Sequence, residues 1–255
     1  MIKKIPQLSI IIAYYKKKHF FEETINSIIN QTYSNFEVIV VYDDANKDEL
    51  SFVKKTLSRL ASYKIIINKK NIGAGLSRNK GIRLAKGQYI AFCDADDLWH
   101  KKKLKEQIIF MKKKKINFCH TSYKIINNFG NIIGYFKIAK KLNYKDLLKS
   151  CDIATSSVVI NKSILKNISF SNFTTKEDYA LWLKIAKKEN ELYGINNNLL
   201  LWRSVKNSLS DSFFQKLFDA FRIYRSSEKY SIITSIYFVI RLSLFALIKK
   251  LDMYR

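Results

Sequence analysis

The chain has 255 residues, 47% of them hydrophobic, which is enough to bury one sizeable core and fits one elaborated domain better than two. Its 46 Lys and Arg against 21 Asp and Glu give a formal net charge of +25, which suits a phosphate-bearing partner; an AT-rich coding sequence leaves the same bias, with one Pro, seven Gly and abundant Lys, Phe and Tyr. Three widely spaced cysteines, Cys93, Cys119 and Cys151, exclude a full disulfide framework and a zinc-ligand spacing and suit a reducing cytoplasm.

No secretory signal is expected at the start, because the apolar stretch Leu8 to Ala13 is short and breaks into Tyr14-Tyr15-Lys16-Lys17-Lys18. That stretch is instead the first predicted strand. Strands are also predicted over Phe36 to Tyr42, Tyr63 to Asn68 and Gln88 to Cys93. Amphipathic helices lie between and after them: Phe21, Ile25, Ile28 and Ile29 form one stripe, Leu76 to Ala85 belongs to a second helix, and Leu104, Ile108 and Met111 line a third whose lysines read as its wet face. This alternation predicts an α/β fold with a parallel sheet covered by helices. His19, His100 and His120 are too scattered to imply a metal site or a triad.

Asp94-Ala95-Asp96-Asp97 ends the fourth predicted strand, and the carboxyl ends of strands are where open α/β sheets bind ligands. Three adjacent carboxylates repel one another unless a cation or hydrogen-bond donors offset them, and oxygen-only ligation suits Mg²⁺ or Mn²⁺. The competing reading is a solvated turn that caps the next helix. Such acids also argue against a nucleic-acid-binding module, since they would repel phosphate unless a metal bridged them.

From about Ile116 to Ile160 shorter β-like runs are expected, Ile132 to Ile138 and Ser156 to Ile160 among them, with a short helix near Tyr144 to Leu148. Thr174 and Glu177 have capping-box spacing ahead of a helix carrying Tyr179, Trp182 and Ile185. A boundary is expected near 212. Beyond it Phe214, Leu217, Phe218 and Phe221 share a face opposite Lys216, Asp219 and Arg222, and Tyr230 to Ile248 is apolar apart from Arg241. The arginine and the flanking Lys229, Lys249 and Lys250 favour a helix lying in a membrane interface over one crossing it, with packing on the domain or on a second copy as the alternative.

Four segments together resemble family 2 glycosyltransferases of the GT-A fold: Leu8 to Tyr15, Ser27 to Asp44, Asn71 to Gly81, and Asp94 to Asp97, the last being similar to that family's D-x-D element. The likeness resumes at Glu177-Asp178 and from Trp202-Arg203 through Asn207-Ser208-Leu209-Ser210. It implies a Rossmann-like, mixed and mostly parallel sheet over residues 1–211, a membrane-associating tail over 212–255, and transfer of one sugar, with inversion, from a nucleotide diphosphate donor to an acceptor hydroxyl. A UDP-sugar is the default donor. A lipid-linked or cell-surface glycan is the expected acceptor, which places the protein peripherally on the cytoplasmic face of a membrane.

By the same resemblance Asp96 holds the divalent cation, Mn²⁺ or Mg²⁺, while Asp94 faces the ribose or shares the cation. Ala13, Tyr15 and Asp43 meet the base, although Tyr42-Asp43-Asp44-Ala45 leaves open whether Asp43 or Asp44 has that role. Arg78, at a helix start after Gly73-Ala74-Gly75, suits a diphosphate or a base edge. Asp178 is the expected general base, because Glu177 is already committed to the capping box. Trp202 and Arg203 resemble a later element that closes over donor or acceptor, and the absence of a Q-x-x-R-W signature implies a single transfer. A catalytically inactive nucleotide-binding relative is the alternative reading.

Overall fold

The computed structural model describes residues 6–205 and 212–253, the last four by backbone alone. The first half follows the expected alternation. Strand β1 (Leu8–Tyr14) leads to α1 (Lys18–Ile29), β2 (Phe36–Tyr42), α2 (Leu50–Leu57), β3 (Tyr63–Ile67), α3 (Ala74–Leu84) and β4 (Tyr89–Phe92). These four strands are parallel in the order β3-β2-β1-β4, so the chain reverses its direction of travel across the sheet between β1 and β4. Such a reversal opens a crevice beyond the carboxyl ends of the strands.

The sheet continues through strands of mixed direction. After β5 (Leu98–Trp99) and α4 (Lys103–Lys114) come β6 (Phe118–Ile126), β7 (Ile132–Phe136), β8 (Lys141–Leu142), α5 (Tyr144–Lys149), β9 (Val159–Asn161), α6 (Glu177–Glu189) and β10 (Leu192–Arg203). β9 lies antiparallel between β4 and β6, and β10 runs parallel to β6 with β5 on its far side, which carries the ten-stranded sheet around the crevice. The long strands β6 and β10 and the helix α2 were not anticipated. In β6 the apolar signal is interrupted by His120, Thr121 and Ser122, all buried, and in β10 by Gly194 and Asn196 to Asn198.

Alternation along β1 builds both halves of the core. Leu8, Ile10, Ile12 and Tyr14 face a cluster with Phe21 and Ile25 of α1, Val53 of α2 and Leu104 and Ile108 of α4, while Ile11 faces the opposite cluster under α6. Trp182 of α6 is fully buried there, its ring 5.5 Å from Phe118 and 6.3 Å from Phe92.

Three expectations need correction. Ile29 is 37% exposed, and Thr24 takes its place on the buried stripe of α1. The lysines of α4 are not all wet, because Lys103 is fully buried. Thr174 and Glu177 form no capping box: the residue before α6 is Lys176 in a left-handed conformation (φ 59°) with no side-chain cap, and Glu177 is drawn inward to an arginine.

The tail folds back on the domain. Helix α7 (Phe213–Arg222), a π-helical turn at Ile223–Ser227 and α8 (Ile232–Met253) bring Ala220, Ile223, Tyr224 and Leu242 into the cluster around α6. On α7 the phenylalanine face points outward and the face opposite it packs on the domain. Phe213, Phe214 and Phe218 are exposed, while Asp219 is fully buried and accepts hydrogen bonds from the Thr175 N–H (2.9 Å) and hydroxyl (3.0 Å).

Candidate active site

The acids of the D-x-D stretch sit in the crevice, each with its own partner. The chain leaves β4 into a turn closed by the Asp97 N–H on the Asp94 carbonyl (3.2 Å), and the Ser156 hydroxyl accepts from the Asp94 N–H (2.9 Å). Asp94 Oδ1 receives Arg78 at 2.6 Å, and the other terminal nitrogen of Arg78 donates to Glu177 Oε1 at 2.7 Å. Arg78, with 5% of its surface exposed, therefore joins the D-x-D loop to the start of α6. Gly75 makes room for this, since a side chain there would strike the Ser171 carbonyl at 2.7 Å and Glu177 Cγ at 2.9 Å.

Asp96 is paired with Lys17, whose ammonium lies 2.6 Å from Oδ2. Burial pushes the Asp96 carboxyl up, Lys17 opposes the shift, and the charge of Asp94 adds to it. Asp97 is pushed up further, by burial and then by the charges of Asp96 and Asp94; its Oδ1 accepts from the Arg203 N–H at 2.8 Å. A carboxylate in this position is favoured by positive charge, and Lys17 already supplies some. No group of three or more His, Cys, Asp or Glu able to hold a metal occurs among the described residues. Asp96 and Asp94 offer oxygen donors only, which fits a small hard cation that completes its shell with diphosphate oxygens and water, and not one enclosed wholly by protein.

Asp178, beside Glu177 in the first turn of α6, accepts the Thr155 hydroxyl on Oδ2 (2.8 Å) and its neighbour's N–H, that of Tyr179, on Oδ1 (2.7 Å). It shares with Asp94 the lining of one cavity of about 230 Å³, together with Tyr123, Thr155, Trp202 and Lys249. Asp96 is not in that lining; its carboxylate faces Lys17. A larger cavity of about 460 Å³ lies between α5 and α6, lined by residues such as Tyr144 and Lys187 and by no acid, so it offers no general base.

The residues expected at the base lie at the ends of β1 and β2. Ala13 and Tyr15 are half-buried, with the Lys16 ammonium 5.2 Å from the Tyr15 ring centre. Asp43 is 2% exposed and accepts from the side-chain amide of Asn68 (2.8 Å) and the N–H groups of Ile72 (2.9 Å) and Gly73 (2.9 Å). It ties β2 to the turn that opens α3, where Gly73 adopts φ 87°. Asp44 instead accepts from the Asn46 N–H in a local turn (3.1 Å).

The resemblance singled out Arg203 as part of a closing element, but its partners, like several other residues of the site, were invisible in the sequence. Arg203, 3% exposed, donates to the Asp96 carbonyl (2.8 Å), the carbonyls of Asn127 (3.2 Å) and Asn128 (3.1 Å) and Glu23 Oε2 (2.7 Å), clamping the acidic loop from β10. Lys17, Thr155 and Ser156 belong to runs of similar residues that single out none of them. Asn207 to Ser210, part of the resemblance near Trp202, lie outside the described residues.

Comparison with known proteins agrees with this geometry. The family model "Glycosyl transferase family 2" matches residues 9–169. WfgD and WfaP of Escherichia coli, each a UDP-Glc:alpha-D-GlcNAc-diphosphoundecaprenol beta-1,3-glucosyltransferase, are 37% and 38% identical over 212 residues, 82% of this chain and 82% of theirs. The crystal structure of S. aureus TarS 1-349 in complex with UDP-GlcNAc superposes with a TM-score of 0.70 at 19% identity, over 91% of this chain and 70% of that one, which extends the likeness to the fold.

Proposed function

The chain belongs to glycosyl transferase family 2 and is a glycosyltransferase, and on that premise we propose that it moves one sugar from a UDP-sugar, with inversion, to a hydroxyl of a lipid-linked acceptor. The observation that carries this reading is the cavity at the end of β4, where Asp94 from the D-x-D loop and Asp178 from α6 line one space. The names of WfgD and WfaP support the donor and acceptor classes. They support inversion as well, because glucose is α-linked in UDP-glucose and those enzymes form a β bond.

Asp178 is the general base. Its carboxylate is fixed through both oxygens by Thr155 and the Tyr179 N–H, which orients a remaining lone pair for the acceptor hydroxyl. Arg78 stays fully charged between Asp94 and Glu177 and sets their placement against the donor. Ala13, Tyr15 and Asp43 receive the nucleoside at the ends of β1 and β2, with Asp43 also holding the loop from Ile72 that borders it. Asp96, with Asp94 beside it, would hold Mn²⁺ or Mg²⁺, which when bound supplies positive charge to a departing diphosphate. The Arg203 clamp keeps the acidic loop in place while that charge develops.

Residues 212–255 act as the membrane-associating part. Helix α8 is the one described helix long and apolar enough to cross a membrane, over Ile232–Lys249, with only 11% of that stretch buried. Arg241 and the packing of Phe238 and Val239 on the core favour α8 lying on a cytoplasmic membrane face with its outer side in the lipid.

Thermal shift with a panel of nucleotide sugars, with and without Mn²⁺, tests the donor and cation together. A UDP-sugar is expected to raise the melting temperature only when Mn²⁺ is present, and D96N to abolish that dependence. Stabilisation that ignores both Mn²⁺ and D96N would contradict the assignment of Asp96.

A further inference from the structure

Lys249 is the one basic residue described in the lining of the cavity shared by Asp94 and Asp178. The sequence places it beside Lys250 as a lysine for lipid headgroups, yet it turns inward. Its ammonium donates to the Cys151 carbonyl (2.9 Å) and Asp152 Oδ1 (3.1 Å) and lies 3.9 Å from the centre of the Phe136 ring. The side chain keeps 19% of its surface accessible, and that of Asp152 keeps 28%. Neither the proton transfer to Asp178 nor the donor contacts of Asp43, Arg78 and Asp96 requires this cation.

What brings Lys249 to the cavity is α8, the helix with the bare apolar side. Ile233, Ile236, Ile240, Leu244, Leu247 and Ile248 are all exposed along it, and Lys249 directly follows the last of them. Along α8 the chemistry thus runs from apolar surface to a positive charge and, across the cavity, to the carboxylate of Asp178. A lipid-diphosphate-sugar acceptor carries the complementary sequence: apolar tail, anionic linker, hydroxyl. We infer that Lys249 receives the diphosphate linker of the acceptor, exchanging Asp152 for a phosphate oxygen, and so sets the distance at which the acceptor sugar meets Asp178. An ammonium on a flexible four-carbon stem suits this exchange, since it binds phosphate as a point charge without requiring fixed geometry.

The inference rests on the lipid-linked acceptor proposed above, and its test separates the two. Full-length protein is assayed with UDP-glucose and two acceptors, α-GlcNAc-diphosphoundecaprenol and an uncharged alkyl α-GlcNAc of matched detergent partition. Wild type is expected to prefer the diphosphate acceptor in kcat/KM. K249Q should reduce that preference about tenfold, as for one charge-assisted hydrogen bond. K249R should keep it, and D152N, which releases Lys249, should lower the KM for the diphosphate acceptor. An equal loss on both acceptors in K249Q, or a rise in donor KM in place of acceptor KM, overturns the inference, because Lys249 would then be a strut or a donor contact. Wild type without any preference overturns it while leaving the transferase reading intact, whereas failure on both acceptors removes the acceptor reading as well.

Discussion

At Arg78 one guanidinium holds two carboxylates that are 16 and 99 residues away in sequence, Asp94 and Glu177, and all three side chains lie at the crevice. Burial pushes Glu177 up and the neighbouring charge of Asp178 adds to it, while the charge and hydrogen bond of Arg78 oppose that shift. Taking away the cation leaves two partly desolvated acids without a partner. R78M is expected to destabilise the fold by about 3 kcal/mol, read as a lower urea midpoint with unchanged slope, and to reduce transfer well beyond that loss of folded protein. R78K should recover part of the stability but less of the activity, because an ammonium cannot span both acids with two parallel arms. Equal urea midpoints for R78M and wild type would contradict the bridging role.

On helix α4 the lysine run looks uniform, yet the helix is not. Lys103 is fully buried, donates to Gln107 Oε1 at 2.8 Å, and has its ammonium 4.1 Å from the Trp99 ring centre. Burial lowers its pKa to about 7, with smaller opposing contributions from Cys93 and Cys119, whereas in the unfolded chain it titrates near 10.4. Between those values the unfolded state binds more protons, so this lysine makes stability rise with pH across pH 7 to 10. K103M removes the dependence. Its stability relative to wild type should therefore be highest near pH 7 and below and decline towards pH 10 by at most about 1.4 kcal/mol per pH unit; a difference that stays flat with pH would exclude a titrating Lys103.

The strands β1 to β4 were legible because each is a largely apolar run, mostly buried in β1, β2 and β4 and only partly covered in the edge strand β3, and the acids that follow β4 stand out against such a run. The buried lysine was not legible, because periodicity registers the type of a residue and not the depth of its neighbours. The same holds for β6 and β10: Ser122 Oγ donates to Asn196 Oδ1 (2.8 Å) between the two strands, while His120 and Thr121 are buried with side-chain polar atoms that have no hydrogen-bond partner among the described residues, and no periodicity announces either. Glu177 was misassigned for a related reason: capping-box spacing is local, whereas its true partner Arg78 arrives from α3.

For the whole molecule, the tail is both part of the core and an unpartnered surface. Tyr224 and Leu242 pack beneath α5 and α6, while Phe214, Ile233, Ile240 and Leu244 face outward. Twenty-two residues make α8 about 33 Å long, enough to lay a broad apolar stripe along a bilayer. The double variant I240E/L244E should move the protein from the pellet to the supernatant in sedimentation with anionic phospholipid vesicles and leave its melting temperature within about 2 °C, since neither side chain is buried. Undiminished vesicle binding by that variant would remove α8 as the membrane contact.

The proposed sugar transfer depends on two acids that line one cavity, with Asp94 assigned to the donor side and Asp178 to the acceptor side. D178N keeps the size of the side chain and removes its basicity, so binding of a UDP-sugar, followed by calorimetry, is expected to match wild type while turnover onto a lipid-linked acceptor falls about a thousandfold. Turnover by D178N at the wild-type rate would show that the proton leaves by another route and that this cavity is not where the bond forms.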